Sequence, residues 1–137
     1  VTVSAAPILY VISVKWLVER PRPITSVGSD LLPGDPSFPS GHTAAAVIVS
    51  VMMILTVRNF ARKRFPDGED DGRANGRRVF LRRAVIGAVA LVVAVACSRL
   101  LLGLHYPTDV IISATICPLI SYAVWCVWNA YESAAER

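Results

Sequence analysis

The sequence predicts an all-α protein, a single domain over residues 1–137 built as a transmembrane bundle of four helices. Three observations lead there. Hydrophobic residues make up 54% of the 137-residue chain, and its mean hydropathy of +0.52 is high for a domain that folds in water. Those residues lie in long blocks rather than in amphipathic stripes, so a bilayer is the fitting solvent. Charge is segregated too, because nine of the fourteen Lys and Arg residues fall between Arg58 and Arg83.

The first helix is expected at about 1–20. It is apolar apart from Thr, Ser and Lys15, and roughly 20 residues suffice to cross a bilayer core. Glu19-Arg20-Pro21-Arg22-Pro23 ends it, because proline removes a backbone donor and disfavours helix in the residue before it. No basic segment precedes this run and no small-residue cleavage site follows it, so it does not read as a signal peptide. Residues 24–38 read as a loop rich in turn formers, including Gly28, Ser29, Asp30 and Pro33-Gly34-Asp35-Pro36. Leu31, Leu32 and Phe38 in that loop are placed to rest on the membrane surface.

Ser40 is a favourable N-cap, with Pro39 just outside, for a second helix at about 40–60. Thr43 to Val57 carries no charge. Residues 58–83 read as a mobile basic loop centred on Pro66-Asp67-Gly68-Glu69-Asp70-Asp71-Gly72. The third helix, about 84–104, is uncharged until Arg99. After His105-Tyr106-Pro107-Thr108, the fourth runs over about 109–131, with a kink expected at Pro118, a residue that membrane helices tolerate.

Orientation follows from the basic loop. Lys and Arg concentrate in cytoplasmic loops, which places 58–83 and both termini of this multi-pass cell-membrane protein in the cytoplasm. Arg22, His42 and His105 then share the extracytoplasmic face. A nucleic-acid partner is excluded because no aromatics interleave with the basic residues to stack on bases. Cys97, Cys117 and Cys126 are odd in number and sit inside apolar runs without paired spacing. They suit packing, not a disulfide framework or zinc site.

Three polar islands interrupt the apolar runs. Charge within a membrane helix is costly and functional by default. Lys15 and Arg22 are seven residues apart, which is two turns on one face if the helix continues that far. With Arg99 they make three cations suited to a polyanion such as phosphate, since Arg grips anionic oxygens bidentately. Snorkelling to headgroups is the plainer role for Lys15, but it does not account for Arg99. Ser40-Gly41-His42 opens a helix, whose N-terminus favours anions, and Gly41 admits close backbone approach. His105 and Asp109 are four residues apart. An Asp on one ring nitrogen fixes the tautomer and leaves the other nitrogen free to attack. Two histidines and an aspartate also suit a metal. The neighbouring cations oppose one, so no metal is expected.

In this order and spacing the residues resemble the type 2 phosphatidic acid phosphatase superfamily, which also includes bacterial acid phosphatases and vanadium haloperoxidases. Its signature is Lys-x6-Arg-Pro, then Pro-Ser-Gly-His, then Ser-Arg-x5-His-x3-Asp. Lys15…Arg22-Pro23, Pro39-Ser40-Gly41-His42 and Ser98-Arg99…His105…Asp109 match it at every position. The resemblance implies that His105 forms a phosphohistidine oriented by Asp109, and that His42 protonates the leaving oxygen and then helps activate water. Lys15, Arg22, Ser40, Gly41 and Arg99 are implied phosphate-binding residues. No cofactor is implied.

The expected activity is hydrolysis of a lipid phosphate or diphosphate, either a polyprenyl diphosphate or a phosphatidic-acid-like lipid, at the outer membrane face. Membrane members usually have six helices with these motifs on the last four. Here four are expected, so two helices precede them in a longer chain or the chain is a short variant. Two other readings compete: a non-catalytic membrane subunit or lipid-phosphate-binding protein on the same scaffold, and vanadate-dependent oxidation.

Overall fold

The computed structural model describes residues 2–23, 34–65 and 71–135. They form four helices, α1 (Thr2–Val18), α2 (Gly41–Arg64), α3 (Asp71–Leu101) and α4 (Pro107–Ala135), with no strand among the described residues. Three of them, Gly41–Arg64, Ala74–Leu101 and Pro107–Ala135, are long and apolar enough to cross a membrane. The shorter α1 has 17 residues, about 25 Å at 1.5 Å per residue. The fold is a transmembrane helical bundle.

The interior and exterior are those of a lipid-solvated protein. Ala44, Ala46, Ser50, Ala88, Ser113, Cys117 and Ser121 are buried, whereas Ile8, Leu9, Trp16, Leu17, Val49, Val89, Ile111 and Leu119 are exposed. Small residues let helix backbones approach, while large aliphatic ones face lipid tails that are as apolar as themselves. Helix α2 is the hub, packing on α1, α3 and α4, while α1 also packs on α4. Val11, Ala44, Val47 and Cys117 meet at the centre of the core. Ser50 Oγ donates to the Ala88 carbonyl at 3.3 Å and ties α2 to α3. Of the cysteines expected to pack inside, only Cys117 does; Cys97 and Cys126 are exposed thiols on outer helix faces.

The expected loop over 58–83 is mostly helix. Helix α2 continues to Arg64 and α3 already begins at Asp71, while 66–70 lie outside the described residues. Charge does not stop a helix, and Arg, Ala, Lys and Leu are strong helix formers. Arg62, Lys63 and Arg64 also sit in the last turn of α2, where cations complement the helix dipole. The extensions pack through Ala61, which is fully buried. The Phe60 and Phe80 rings lie 6.0 Å apart, and a Cβ on Gly76 would come within 3.1 Å of Phe65. Helix α4 runs unbroken through Pro118.

The helix ends nearest the polar islands are built by local rules. Helix α1 stops when Glu19 takes a left-handed φ of 47° and returns its N–H to the Lys15 carbonyl at 3.0 Å; Pro21 then prevents resumption. Arg22 therefore reaches inward from an irregular segment, not from a helix face shared with Lys15. Helix α3 closes at Gly103, with φ 63°. Gly103 N–H bonds the Leu100 carbonyl at 2.9 Å and Leu104 N–H the Arg99 carbonyl at 3.1 Å, the Schellman pattern that favours glycine. The expected third helix thus ends at Leu101, not 104. Pro107 starts α4 in the position where its missing N–H costs nothing. Of the expected 24–38 loop, Leu31 and Leu32 lie outside the described residues.

Candidate active site

The C-terminal ends of α1 and α3 and the N-terminal ends of α2 and α4 meet at one end of the bundle. Lys15, Arg22, Gly41, His42 and His105 line a common cavity of about 330 Å³ there, together with Asp35 and Ala45. Three motifs that are far apart in sequence are thereby joined. A larger cavity, about 570 Å³, lies toward the opposite ends of α2 and α4 and is lined by Arg58, Arg62, Trp125, Asn129 and Glu132 among others. None of the motif residues touches it.

His105 is buried just before α4. Its Nδ1 lies 2.7 Å from the Ser37 carbonyl, which accepts only, so the neutral ring carries its proton on Nδ1. Nε2 is left with its lone pair, 3.5 Å from Arg22 Nη1. Burial above all, and then the Arg22 and Lys15 charges, hold the His105 pKa below its ordinary 6.5 against the opposing influence of Ser37 and Asp109. The ring is therefore uncharged at neutral pH. That combination of tautomer and charge is what an attacking imidazole needs.

Asp109 does not orient His105 in the way the i, i+4 spacing implies. Its Oδ2 is 3.6 Å from His105 Nδ1, too long for a hydrogen bond, because His105 precedes the helix rather than lying on it. Fully buried, Asp109 instead caps α4: Oδ2 accepts the Tyr106 N–H at 2.9 Å, the backward half of a capping box. Its Oδ1 accepts from Arg20 at 2.8 Å. Arg20 also bonds Thr108 Oγ1 at 2.7 Å and lies 4.0 Å over the Tyr106 ring.

Ser40 is buried beneath the cavity as the N-cap of α2. Its Oγ accepts from Thr43 N–H at 3.4 Å and meets Thr43 Oγ1 at 3.0 Å. Gly41 begins the helix beside Lys15, where an added Cβ would stand 3.8 Å from Lys15 Cε. Packing alone does not demand glycine; the space it leaves belongs to the cavity. His42, one residue on, is exposed at the cavity rim. Arg99 is outside the cavity lining, half-buried, with Nη2 on Ser98 Oγ at 3.1 Å. Its buried Nε has no hydrogen-bond partner among the described residues, and its charge reaches His42.

Three residues outside the motifs complete the arrangement. Asp35 bridges Lys15 and Arg22, with 2.6 Å to each. Burial works against its charge, but hydrogen bonds from Lys15 and Arg22 outweigh this and hold its pKa below 3.8. Ser37 supplies the carbonyl for His105, and is itself strapped down by its N–H to the Arg20 carbonyl at 2.8 Å and its Oγ to the Pro21 carbonyl at 3.1 Å. Arg20 is the third. In the sequence, Asp35 reads as a turn former and Arg20 as part of a helix stop; only the chain's fold-back gives them partners.

The profile of the PAP2 superfamily matches residues 1–132. The chain belongs to the PAP2 superfamily. No curated protein matches it. Among solved structures it is similar to one titled "Crystal structure of the first transmembrane PAP2 type phosphatidylglycerolphosphate phosphatase from Bacillus subtilis", with a TM-score of 0.65 and 25% identity. The match covers 93% of this chain and 56% of that protein, so this PAP2 chain spans little more than half its neighbour's length. Fold and family agree with the transmembrane helical bundle expected from the sequence.

Proposed function

We propose that this PAP2 protein is a metal-independent phosphatase that removes phosphate from a lipid phosphate or diphosphate through a phosphohistidine intermediate. The observation that carries this reading is the placement of His105, with Nδ1 on the Ser37 carbonyl and Nε2 beside Arg22 in a cavity flanked by Lys15 and His42. Nε2 attacks phosphorus, forming the N–P bond as the P–O bond to the lipid breaks. His42, which the negative charge of a bound phosphate group favours in its protonated form, gives its proton to the departing oxygen. Water then attacks phosphorus, His42 takes the water's proton, and cleavage of the N–P bond releases phosphate and restores His105. Lys15 and Arg22 stabilise the charge spread over the transferring phosphoryl oxygens, and Arg99 adds its positive charge from beside His42, outside the cavity lining. The Ser40 cap and Gly41 turn the N-terminal end of α2 toward the same anion.

The substrate class is supported by the site's setting. The cavity lies at the ends of helices long and apolar enough to cross a membrane, a position suited to meeting the phosphate of a lipid headgroup. The basic extensions of α2 and α3 lie at the opposite end, and the positive-inside tendency therefore turns the cavity to the extracytoplasmic side, with the ends of the chain in the cytoplasm. Cations around the cavity repel a divalent metal, so turnover is expected to survive chelation.

The test is hydrolysis by purified protein, in EDTA, of a phosphatidic-acid-like lipid and a polyprenyl diphosphate side by side. Phosphate release that disappears in His105→Ala, with an acid-labile phosphoryl-protein trapped from the unmodified chain, is the expected result. Unchanged release from pure His105→Ala protein overturns the mechanism. Release from neither lipid by correctly folded protein favours the non-catalytic binding reading.

A further inference from the structure

The cations of the proposed phosphate site already hold an anion. Asp35 sets Oδ2 2.6 Å from Lys15 Nζ and Oδ1 2.6 Å from Arg22 Nη2. One carboxylate thus spans both charges with two oxygens, the manner in which a phosphate group binds such a pair. It lines the same cavity as His42 and His105, yet belongs to none of the three motifs.

The partners differ in their freedom to move. The Lys15 and Arg22 side chains are 11% and 9% exposed, against 47% for Asp35. Lys15 Nζ also donates to the Pro36 carbonyl. Arg22 donates to the carbonyls of Asp35 at 3.1 Å and Leu104 at 3.0 Å. The cations are anchored by backbone as well as by the carboxylate. Among the described residues the carboxylate has only the cations, and the neighbouring Gly34 borders open space. If one member leaves, it is Asp35.

We propose that Asp35 is a built-in competitor for the phosphate seat, so that a bound phosphate group displaces its carboxylate from Lys15 and Arg22 into solvent. This rests on the reading of the cavity as a phosphate site. It also deepens that reading into a selectivity. Free inorganic phosphate meets cations already neutralised by one negative charge, and binds weakly. A lipid phosphate pays the same displacement cost, but its membrane anchor supplies a high effective concentration at the cavity mouth. Asp35 therefore tunes the site toward membrane-held phosphate and away from its own soluble product.

The purified chain in nanodiscs is titrated calorimetrically with inorganic phosphate and with orthovanadate. Asp35→Asn keeps the size and removes the charge, and it binds both anions about tenfold more tightly, the low end of what deleting one charge beside a bound anion gives in a partly exposed setting. Asp35→Ala changes in the same direction. Weaker or unchanged binding in the two variants overturns the proposal and makes Asp35 an organiser of the cations instead. A structure of the unmodified chain with orthovanadate bound decides the matter without any variant: a carboxylate still bridging Lys15 and Arg22 sinks it, and one turned to solvent supports it. None of these readouts needs turnover. A chain that hydrolyses no lipid refutes the proposed activity, while the titrations still settle Asp35.

Discussion

Replacing Arg20 by Met tests how the site is held together, because it removes a charge while keeping most of the side chain's length. Arg20 donates to Asp109 Oδ1 at 2.8 Å and to Thr108 Oγ1 at 2.7 Å, and lies 4.0 Å over the Tyr106 ring. A hydrogen bond to a charged group contributes about 1.5–3 kcal/mol and an exposed cation–π contact about 0.5–1 kcal/mol. The Arg20 side chain is 35% exposed while Asp109 is at 0%, so water screens the pair in part and the expected loss is about 2 kcal/mol. Asp109 then keeps one donor, the Tyr106 N–H, and its nearest new partner is His105 Nδ1 at 3.6 Å. A carboxylate turned onto the ring stabilises the imidazolium and raises the His105 pKa from its present place below 6.5. Since the neutral ring attacks, activity is lost as pH falls through that pKa, and the acid limb of kcat/KM moves to higher pH in the variant. The assay is lipid-phosphate hydrolysis across about pH 5–8, the range in which histidines titrate, paired with thermal melts. An acid limb that stays put or moves to lower pH refutes the assigned coupling of Arg20, Asp109 and His105.

Three further outcomes are expected. Gly103→Ala forces a side chain into a left-handed φ of 63° and lowers stability by about 1–2 kcal/mol, with Gly103→Asn milder; melts in detergent measure both, and turnover falls as well because His105 lies two residues on. Gly41→Ala leaves the fold intact or up to about 1 kcal/mol more stable, since its Cβ stands at an ordinary 3.8 Å from Lys15 Cε, while KM rises because the methyl enters the cavity; a lower melting point with unchanged KM contradicts this. The ion pairs of Asp35 depress its pKa below 3.8, so they contribute stability above that value and lose it as pH falls through the folded-state pKa. Because Asp35 is half-exposed, that contribution is under about 1 kcal/mol, and Asp35→Asn flattens the acid side of a melting-temperature profile by a correspondingly small amount.

The three motifs and the existence of four helices were legible in the sequence because each rests on local residue types: uninterrupted apolar runs, a Ser cap, prolines after helix ends. Extents were harder to read. Hydrophilic 58–83 reads as loop, yet Arg, Lys and Ala favour helix wherever water receives their charges, and α2 and α3 extend into it. An apolar run hides the end of the third helix, which closes at Gly103, although a glycine with a proline soon after it is itself a stop signal. Lys15 and Arg22 were expected to meet through helical periodicity, yet α1 ends at Val18 and they meet through the return of the chain. Asp35 and Ser37 were beyond any periodicity argument. Their partners lie 13 to 68 residues away in sequence, and only folding brings them near.

The spacing of the motifs has a physical origin in the way helices end. Lys15 lies in the last turn of α1 and Arg99 in the last turn of α3, where each cation offsets the negative end of its own helix dipole before it serves the cavity. The returning helices begin with Ser40-Gly41-His42 and with Pro107 to Asp109, which supply caps to the orphan N–H groups at their starts. The first and third motifs each carry such a termination, and the site is the junction of two connections, the one leading from α1 into α2 and the one leading from α3 into α4. The junction is sealed by backbone. Ser40 N–H donates to the Asp109 carbonyl at 3.1 Å, and the Ser37 carbonyl receives His105 Nδ1 at 2.7 Å. The ring of one connection is thus given its tautomer by a main-chain group of the other, a group no side-chain motif records.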